Sequence, residues 1–504
     1  MMTDSTTLES RAAGVGIPFA AIVLAMLPAV LDQTILATAL PVIASDLGSL
    51  TDLSWVVTAY VVSAAATTPL WGKLGDRHGR KTWLQVALAV FLASSALCGA
   101  AQDIPQLVVL RAVQGAAAGG LMTLAMAAVG DLVSPRERGR YQGYIAATFA
   151  VATIVGPLVG GLLVEHASWR WVFLVNLPVG LIALVALAAR LPAPEADRPD
   201  RPLDAPGAAL LAGATTAFML TCIWGESRYA WDSTQIVALI GTTLALAGAL
   251  IVRERHAADP IVPLHLLRSR AVAVASSALF LGTAALFAIT VFVPLFLQTT
   301  TGASPTEAGL LLVPAMLGIT VSTTLSGRSI ARTGRYKRFP VAGLALMTVA
   351  LFVLAAFAGR ASQVWTGFGL ALFGLGFGMV TQVLVVAVQN HVERRELGVA
   401  TATTGFFRAL GGAAGAAVLG AVFAAQAGAR ASESGQGLGS ALRADVIDGV
   451  QAVFIVAAPL AALALLIVLF LPEAPLKTSE EHQAPRPRAK EPARPTTRTA
   501  EVTR

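Results

Sequence analysis

Long apolar runs recur along this chain with a regularity that leaves few folds open. Between residues 17 and 471 the sequence divides, at its charged or Pro/Gly-rich breaks, into fourteen such runs. Each is close to the roughly 20 residues an α-helix needs to cross a hydrocarbon core of about 30 Å. Unbroken hydrophobicity excludes a transmembrane β-barrel, whose strands would alternate over about ten residues. A water-soluble chain carries about 25% charged residues; this one has 13%, against 56% hydrophobic, over 504 residues. The expected fold class is an all-α polytopic membrane protein. Its only cysteines, Cys98 and Cys222, lie inside apolar runs, which leaves no disulfide framework and no thiolate metal site. Its six histidines fall in loops or at helix ends with no pair at ligand spacing, so no metal is expected.

Orientation follows from the Lys/Arg bias, because positive residues flanking spans stay in the cytoplasm. With the N-terminus inside, 29 of the 36 Lys and Arg fall in cytoplasmic loops or tails, which decides the direction. An even span count then puts both ends in the cytoplasm. The charges are dispersed, so the net +7 points to an anionic inner leaflet and not to nucleic acid. Residues 1–16 read as a cytoplasmic tail ahead of an uncleaved first span. Residues 472–504 are rich in Pro, Arg, Lys, Glu and Thr and read as a disordered cytoplasmic tail.

An internal repeat divides the rest. Gly72, Lys73, Arg77, Gly79 and Arg80 are matched by Gly327, Arg328, Arg332, Gly334 and Arg335 at a constant offset of 255, and the same offset carries Gly156 and Gly160 onto Gly411 and Gly415. Two six-helix bundles are expected, 17–190 and 271–471, with two inserted linker helices over 206–252. Parallel halves around a central site suggest alternating access.

Charge is scarce within the spans, and an ionisable group in hydrocarbon is a functional candidate. Only Asp32, Arg111 and Arg408 lie well inside. At 1.5 Å per residue, Asp32 of span 1 and Arg111 of span 4 reach about the same depth, with Gln114 one turn inward and Tyr60 of span 2 at a similar level. Either they form a static pair that ties helices together, or the carboxyl gains and loses a proton as access alternates. Arg408, in span 13, either binds an anionic or carbonyl-bearing substrate group or bridges to backbone carbonyls. Phe287, Phe292, Phe296, Phe377 and Phe406 either line an apolar pocket or simply pack. In the loop after span 2, Gly72 and Gly75 permit close helix approach, Asp76 can sit at a helix N-terminus or pair with a nearby Arg, and the cations, Arg80 among them, hold the loop at the inner surface. Gly156, Pro157, Gly160 and Gly161 supply a kink and a small-residue face.

The run Gly72-Lys73-Leu74-Gly75-Asp76-Arg77-His78-Gly79-Arg80-Lys81 resembles the signature loop of the major facilitator superfamily. Leu31-Asp32-Gln33-Thr34-Ile35, Arg111-Ala112-Val113-Gln114-Gly115, Gly156-Pro157-Leu158-Val159-Gly160-Gly161, Trp169-Arg170-Trp171-Val172-Phe173 and Asn176-Leu177-Pro178 narrow the likeness to its fourteen-helix drug:proton antiporters, the EmrB/QacA group. Gln298 with Ser304–Leu310, and Phe407-Arg408 with Gly411-Gly412, extend it into the second half. The resemblance implies a major facilitator fold and proton-coupled export of lipophilic drugs or toxic small molecules across a bacterial inner membrane. It also implies Asp32 and Arg111 as coupling residues, and the helix 5 glycines as an antiporter motif. Gln33, Tyr60, Gln114, Phe287, Phe292, Gln298 and Arg408 are the substrate-binding candidates. The bilayer, a small-molecule substrate and protons are the expected partners, and the proton gradient replaces any cofactor. No nucleotide loop Gly-x-x-x-x-Gly-Lys-Ser/Thr occurs, and no enzymatic constellation can be assembled. A dedicated metabolite exporter, an importer, or a sensor on the same shell are the rival readings. Spans 9–14 hold no carboxylate well inside, which argues against dicationic substrates, and Ala331 stands where the repeat would place a second Asp76.

Overall fold

The computed structural model describes residues 3–47, 53–192, 203–225, 228–301, 312–358, 363–431 and 438–476. Among these, the long helices are α1 (Thr3–Leu47), α2 (Leu53–His78), α3 (Arg80–Gly99), α4 (Ile104–Leu132), α5 (Pro135–His166), α6 (Asn176–Arg190), α7 (Ala205–Trp224) and α8 (Thr234–His256). They continue with α9 (Arg270–Phe287, running on through a π-helical turn into Val293–Thr301), α10 (Val313–Thr333), α11 (Arg338–Phe357), α12 (Gln363–His391), α13 (Leu397–Ala431) and α14 (Leu438–Val468). Twelve helices of the described residues are long and apolar enough to cross a membrane. By that measure the fourteen expected spans become twelve, because α2 and α10 are not in the set. These two are repeat mates, and they carry unusual numbers of hydroxyls, among them Thr58, Ser63, Thr67 and Thr68 on α2 and Thr320, Ser322, Thr323 and Thr324 on α10. Helices of this kind suit a water-facing wall better than a lipid-facing one.

The buried apolar side chains fall into separate clusters for each half. One large cluster is drawn from α9–α14 and two from α1–α6. Within the first half α2 packs on α4, α3 on α4 and α1 on α5; the second half repeats this with α10 on α12, α11 on α12 and α9 on α13. The halves meet where α5 lies against α10 and α2 against α13, which are again equivalent pairs. The repeat extends to backbone detail. Gly79, between α2 and α3, has φ +95°, and its mate Gly334, between α10 and α11, has φ +69°. Both reversals need the left-handed region that only Gly enters freely.

The polar contacts joining the halves gather at one end, which carries the basic loops after α2, α4, α10 and α12. There the backbones touch: a Cβ on Gly327 would overlap the Gly139 carbonyl, and one on Gly72 would strike Ala402 and the Gly398 carbonyl. The inserted helices lie to one flank, α7 against both α2 and α13, and α8 mainly against α7. Met219 and Cys222 of α7 join Val62 and Ala65 of α2 and Ala413 and Ala417 of α13 in one buried cluster. Beyond α8, Asp259 forms ion pairs with Lys73 and Arg77.

A wedge at the backbone contact should therefore part the halves. Gly327→Val is expected to lengthen the distance between spin labels at positions 140 and 332; an unchanged distance distribution would show that this contact does not hold the end closed.

Candidate functional site

Asp32 and Arg111 meet as their calculated depths require. Arg111 Nη1 lies 2.5 Å from Asp32 Oδ2, and each residue is 1% exposed. Charges so deep survive only when every lone pair and N–H finds a partner, and the surroundings meet much of that demand. Gln114 Nε2 donates to Asp32 Oδ1 at 3.1 Å, while its Oε1 accepts from Arg111 Nη1 at 2.8 Å. Asn176 Nδ2 donates both to Asp32 Oδ1 (3.3 Å) and to the Ser95 hydroxyl (3.1 Å), and Ser95 in turn donates to the Phe173 carbonyl. The guanidinium stacks 4.2 Å over the Tyr60 ring, and the Tyr60 hydroxyl donates to the Ala29 carbonyl.

Asn176 and Ser95 were not among the sequence candidates as site residues. Asn176 opens α6 two residues before Pro178, inside an otherwise apolar run, and a lone amide there is a usable signal. Ser95 gave none, since its role depends on how α3 rotates against α6.

Tyr60 separates this cluster from a cavity of about 430 Å³ lying between the halves, within the range of small-molecule sites. Ala29, Gln33, Tyr60 and Thr68 line it from α1 and α2, with Met122 and Phe149 from α4 and α5; Thr320, Phe377, Thr404 and Arg408 face them from the second half. Gln33, Tyr60 and Arg408 thus come together as candidates for substrate contact. Gln114 is instead fully engaged with the acid. Phe287 and Phe292 are 6.2 Å apart in an edge-on pair, and Phe292 also packs on Phe423 in the second-half core. Neither reaches the cavity, because the π-helical turn that contains Phe292 faces the α9–α14 core. Phe296 is buried in that core as well, and Gln298 is exposed away from the cavity lining. Of the five phenylalanines, Phe377 is the one that lines it. The segment Ser304–Leu310 lies outside the described residues.

The glycine motif of α5 packs on the stretch of α1 that carries the acid. A Cβ on Gly156 would collide with Thr34, and one on Gly160 with Thr38 and Ile35. Gly411 and Gly415 of α13 meet Phe280 and Ala284 of α9 in the same way. Gly161 faces open space, so it adds nothing to the expected packing face, and Pro157 is exposed within a helix that continues through it.

At the closed end the two equivalent contacts use opposite charges. Asp76 accepts the Gly398 and Val399 backbone N–H groups, each at 2.8 Å, at the N-terminus of α13, and pairs with Arg80 at 2.6 Å. Arg80 also pairs with Asp131 and donates to the Arg394 carbonyl. Gly75 lets α2 approach Leu124 of α4 beneath this network. Where Ala331 replaces the acid, Arg136 of α5 donates instead to the Ala331 and Arg332 carbonyls, both at 2.7 Å, at the C-terminus of α10. Anion at a helix N-terminus and cation at a C-terminus are both favourable to the helix dipole.

Two parallel helical bundles, a shared cavity between them and a buried charge cluster in its wall define the architecture of a membrane transporter. The chain belongs to the Major Facilitator Superfamily, whose family model matches residues 22–416. It is 40% identical over 407 residues to a Mycobacterium tuberculosis protein described as an uncharacterized MFS-type transporter, covering 80% of this chain and 59% of that one. The chain therefore spans about three-fifths of that relative's length. It is 33% identical to the Bacillus subtilis multidrug transporter protein MdtP, covering 81% of this chain and 75% of MdtP. Among solved structures, the human organic anion transporter MFSD10 superposes with a TM-score of 0.65 at 18% identity, over 90% of this chain and 99% of that one, a likeness of fold alone.

Asp76→Asn removes the charge from the α13 N-terminus at nearly constant shape. It is expected to shift the balance away from closure by about 1 kcal/mol, roughly fivefold. The reading is faster maleimide labelling of a cysteine placed at Thr323, applied from the basic side; an unchanged rate would remove Asp76 from the gate.

Proposed function

We propose that this protein is a proton-coupled antiporter that expels lipophilic small molecules across a bacterial inner membrane by alternating access. The observation that carries the reading is the Asp32–Arg111–Gln114–Asn176 cluster, sealed behind the Tyr60 wall of the central cavity. The Lys/Arg bias places the basic end, and both termini, in the cytoplasm. On that assignment the conformation described is closed toward the cytoplasm.

In this scheme a proton arriving from outside neutralises Asp32 and weakens its hold on Arg111, whose guanidinium then leans on Tyr60 and on the Val56 carbonyl, 3.4 Å from Nε. Because Tyr60 belongs to both the acid's surroundings and the cavity wall, a change in the pair alters the surface offered to substrate. A static ion pair would have no need of a side chain shared with the cavity. The potential supplies about 2.3 kcal/mol per charge per 100 mV, so proton entry can drive the return of the empty carrier. The name of MdtP as a multidrug transporter supports export of drugs as the cargo.

Asp32→Asn should abolish substrate-driven proton release from inverted vesicles while leaving substrate binding within a few-fold of the parent. Proton exchange at the parent rate would exclude Asp32 from the coupling.

A further inference from the structure

The cations set into the protein interior are answered almost everywhere. Arg111 has Asp32 and Gln114; Arg80 has Asp76 and Asp131; Arg138, 1% exposed, donates to the Gly130 and Gln389 carbonyls. Arg408 differs: it is exposed, projecting from α13 into the open cavity, and among the described residues no carboxylate, carbonyl or aromatic face partners its guanidinium. Nor does the cavity hold a balancing charge: no Asp or Glu is found among the residues that line it, and Arg408 is their one charged member. The acid behind Tyr60 is already committed to three donors.

A guanidinium exposed at membrane depth with no counter-charge beside it attracts an anion through the cavity it faces. The remaining walls specify the rest of the guest. Met122, Met126, Met316, Phe149 and Phe377 offer a soft apolar surface, while hydroxyls such as Thr320 and Thr404 offer polar contacts without charge. Gln382 also belongs to the lining and adds an uncharged polar group.

We propose that this cavity is a binding site for amphipathic organic anions, an apolar ring body carrying one carboxylate or phenolate that seats on Arg408 in a two-pronged contact. The proposal names the substrate class of the transport reading above and rests on it only for flux, since selectivity of binding can be measured with no flux at all. A lipophilic cation of the same shape would meet like charge and no acid.

The test uses the full chain in nanodiscs and three fluorescent probes of one shape, anthracene-9-carboxylate, 9-anthracenemethanol and 9-anthracenylmethylammonium. The carboxylate should bind tightest to the parent. Arg408→Gln should weaken it about thirtyfold or more while leaving the neutral alcohol within a few-fold, which also reports that the variant folds. Arg408→Lys should restore part of the affinity, and Arg408→Glu should turn the preference toward the ammonium probe. The proposal is overturned if the parent binds none of the series at millimolar concentration, if the ammonium binds as well as the carboxylate, or if Arg408→Gln leaves carboxylate affinity unchanged. In proteoliposomes the two readings separate: carboxylate-selective binding without gradient-driven flux would sink the antiporter and keep the site, whereas flux indifferent to probe charge would do the reverse.

Discussion

A carboxylate and a guanidinium 2.5 Å apart at the depth of Asp32 and Arg111 are stable only together. The pair and its partners bind four helices to one register: α1 and α4 through the pair itself, α6 through Asn176, and α2 through the Tyr60 ring. The glycine face of α5 exists to let α5 close on the same stretch of α1, with Gly156 against Thr34, two residues from the acid. Most of the first half can thus be understood as scaffolding for one deeply buried ion pair.

The meeting of the halves obeys the same rule with different chemistry. At the basic end both equivalent contacts place a helix end of one half against a charged side chain of the other, Asp76 against α13 and Arg136 against α10. The loss of the second acid, at Ala331, is compensated by a cation at the opposite helix pole. Closely touching glycine backbones, Gly139 on Gly327 and Gly72 on Gly398, make the closed state short-ranged. Such contacts are lost within the first ångström or two of separation, which suits a seal that is either shut or open.

The sequence carried the architecture because the bilayer reduces it to counting. Span length, Lys/Arg bias and the shared offset of Gly79 and Gly334 are one-dimensional signals, and depth along a helix is simply 1.5 Å per residue, which is why Asp32 and Arg111 could be paired in advance. Rotation about the helix axis leaves no such mark. Phe287 and Phe292, open in the sequence between pocket and packing, pack with the second-half core, while Gly161, expected in a packing face, faces open space. Ser95 was invisible because its partner lies 81 residues away on another helix. The two helices outside the count of twelve, α2 and α10, are hydroxyl-bearing and contribute Tyr60, Thr68, Thr320 and Thr323 to the cavity wall.

The inserted pair α7 and α8 has a consequence for the surface turned to lipid. It covers the seam where α2 meets α13, and Asp259 fastens its far end to Lys73 and Arg77. The other seam, between α5 and α10, has no such cover among the described residues, and Val151, Val155 and Leu158 on α5 with Leu317, Val321 and Leu325 on α10 lie exposed. The two seams of a twofold-repeated fold therefore present different faces to the leaflet, one covered by a helix pair and one directly apolar.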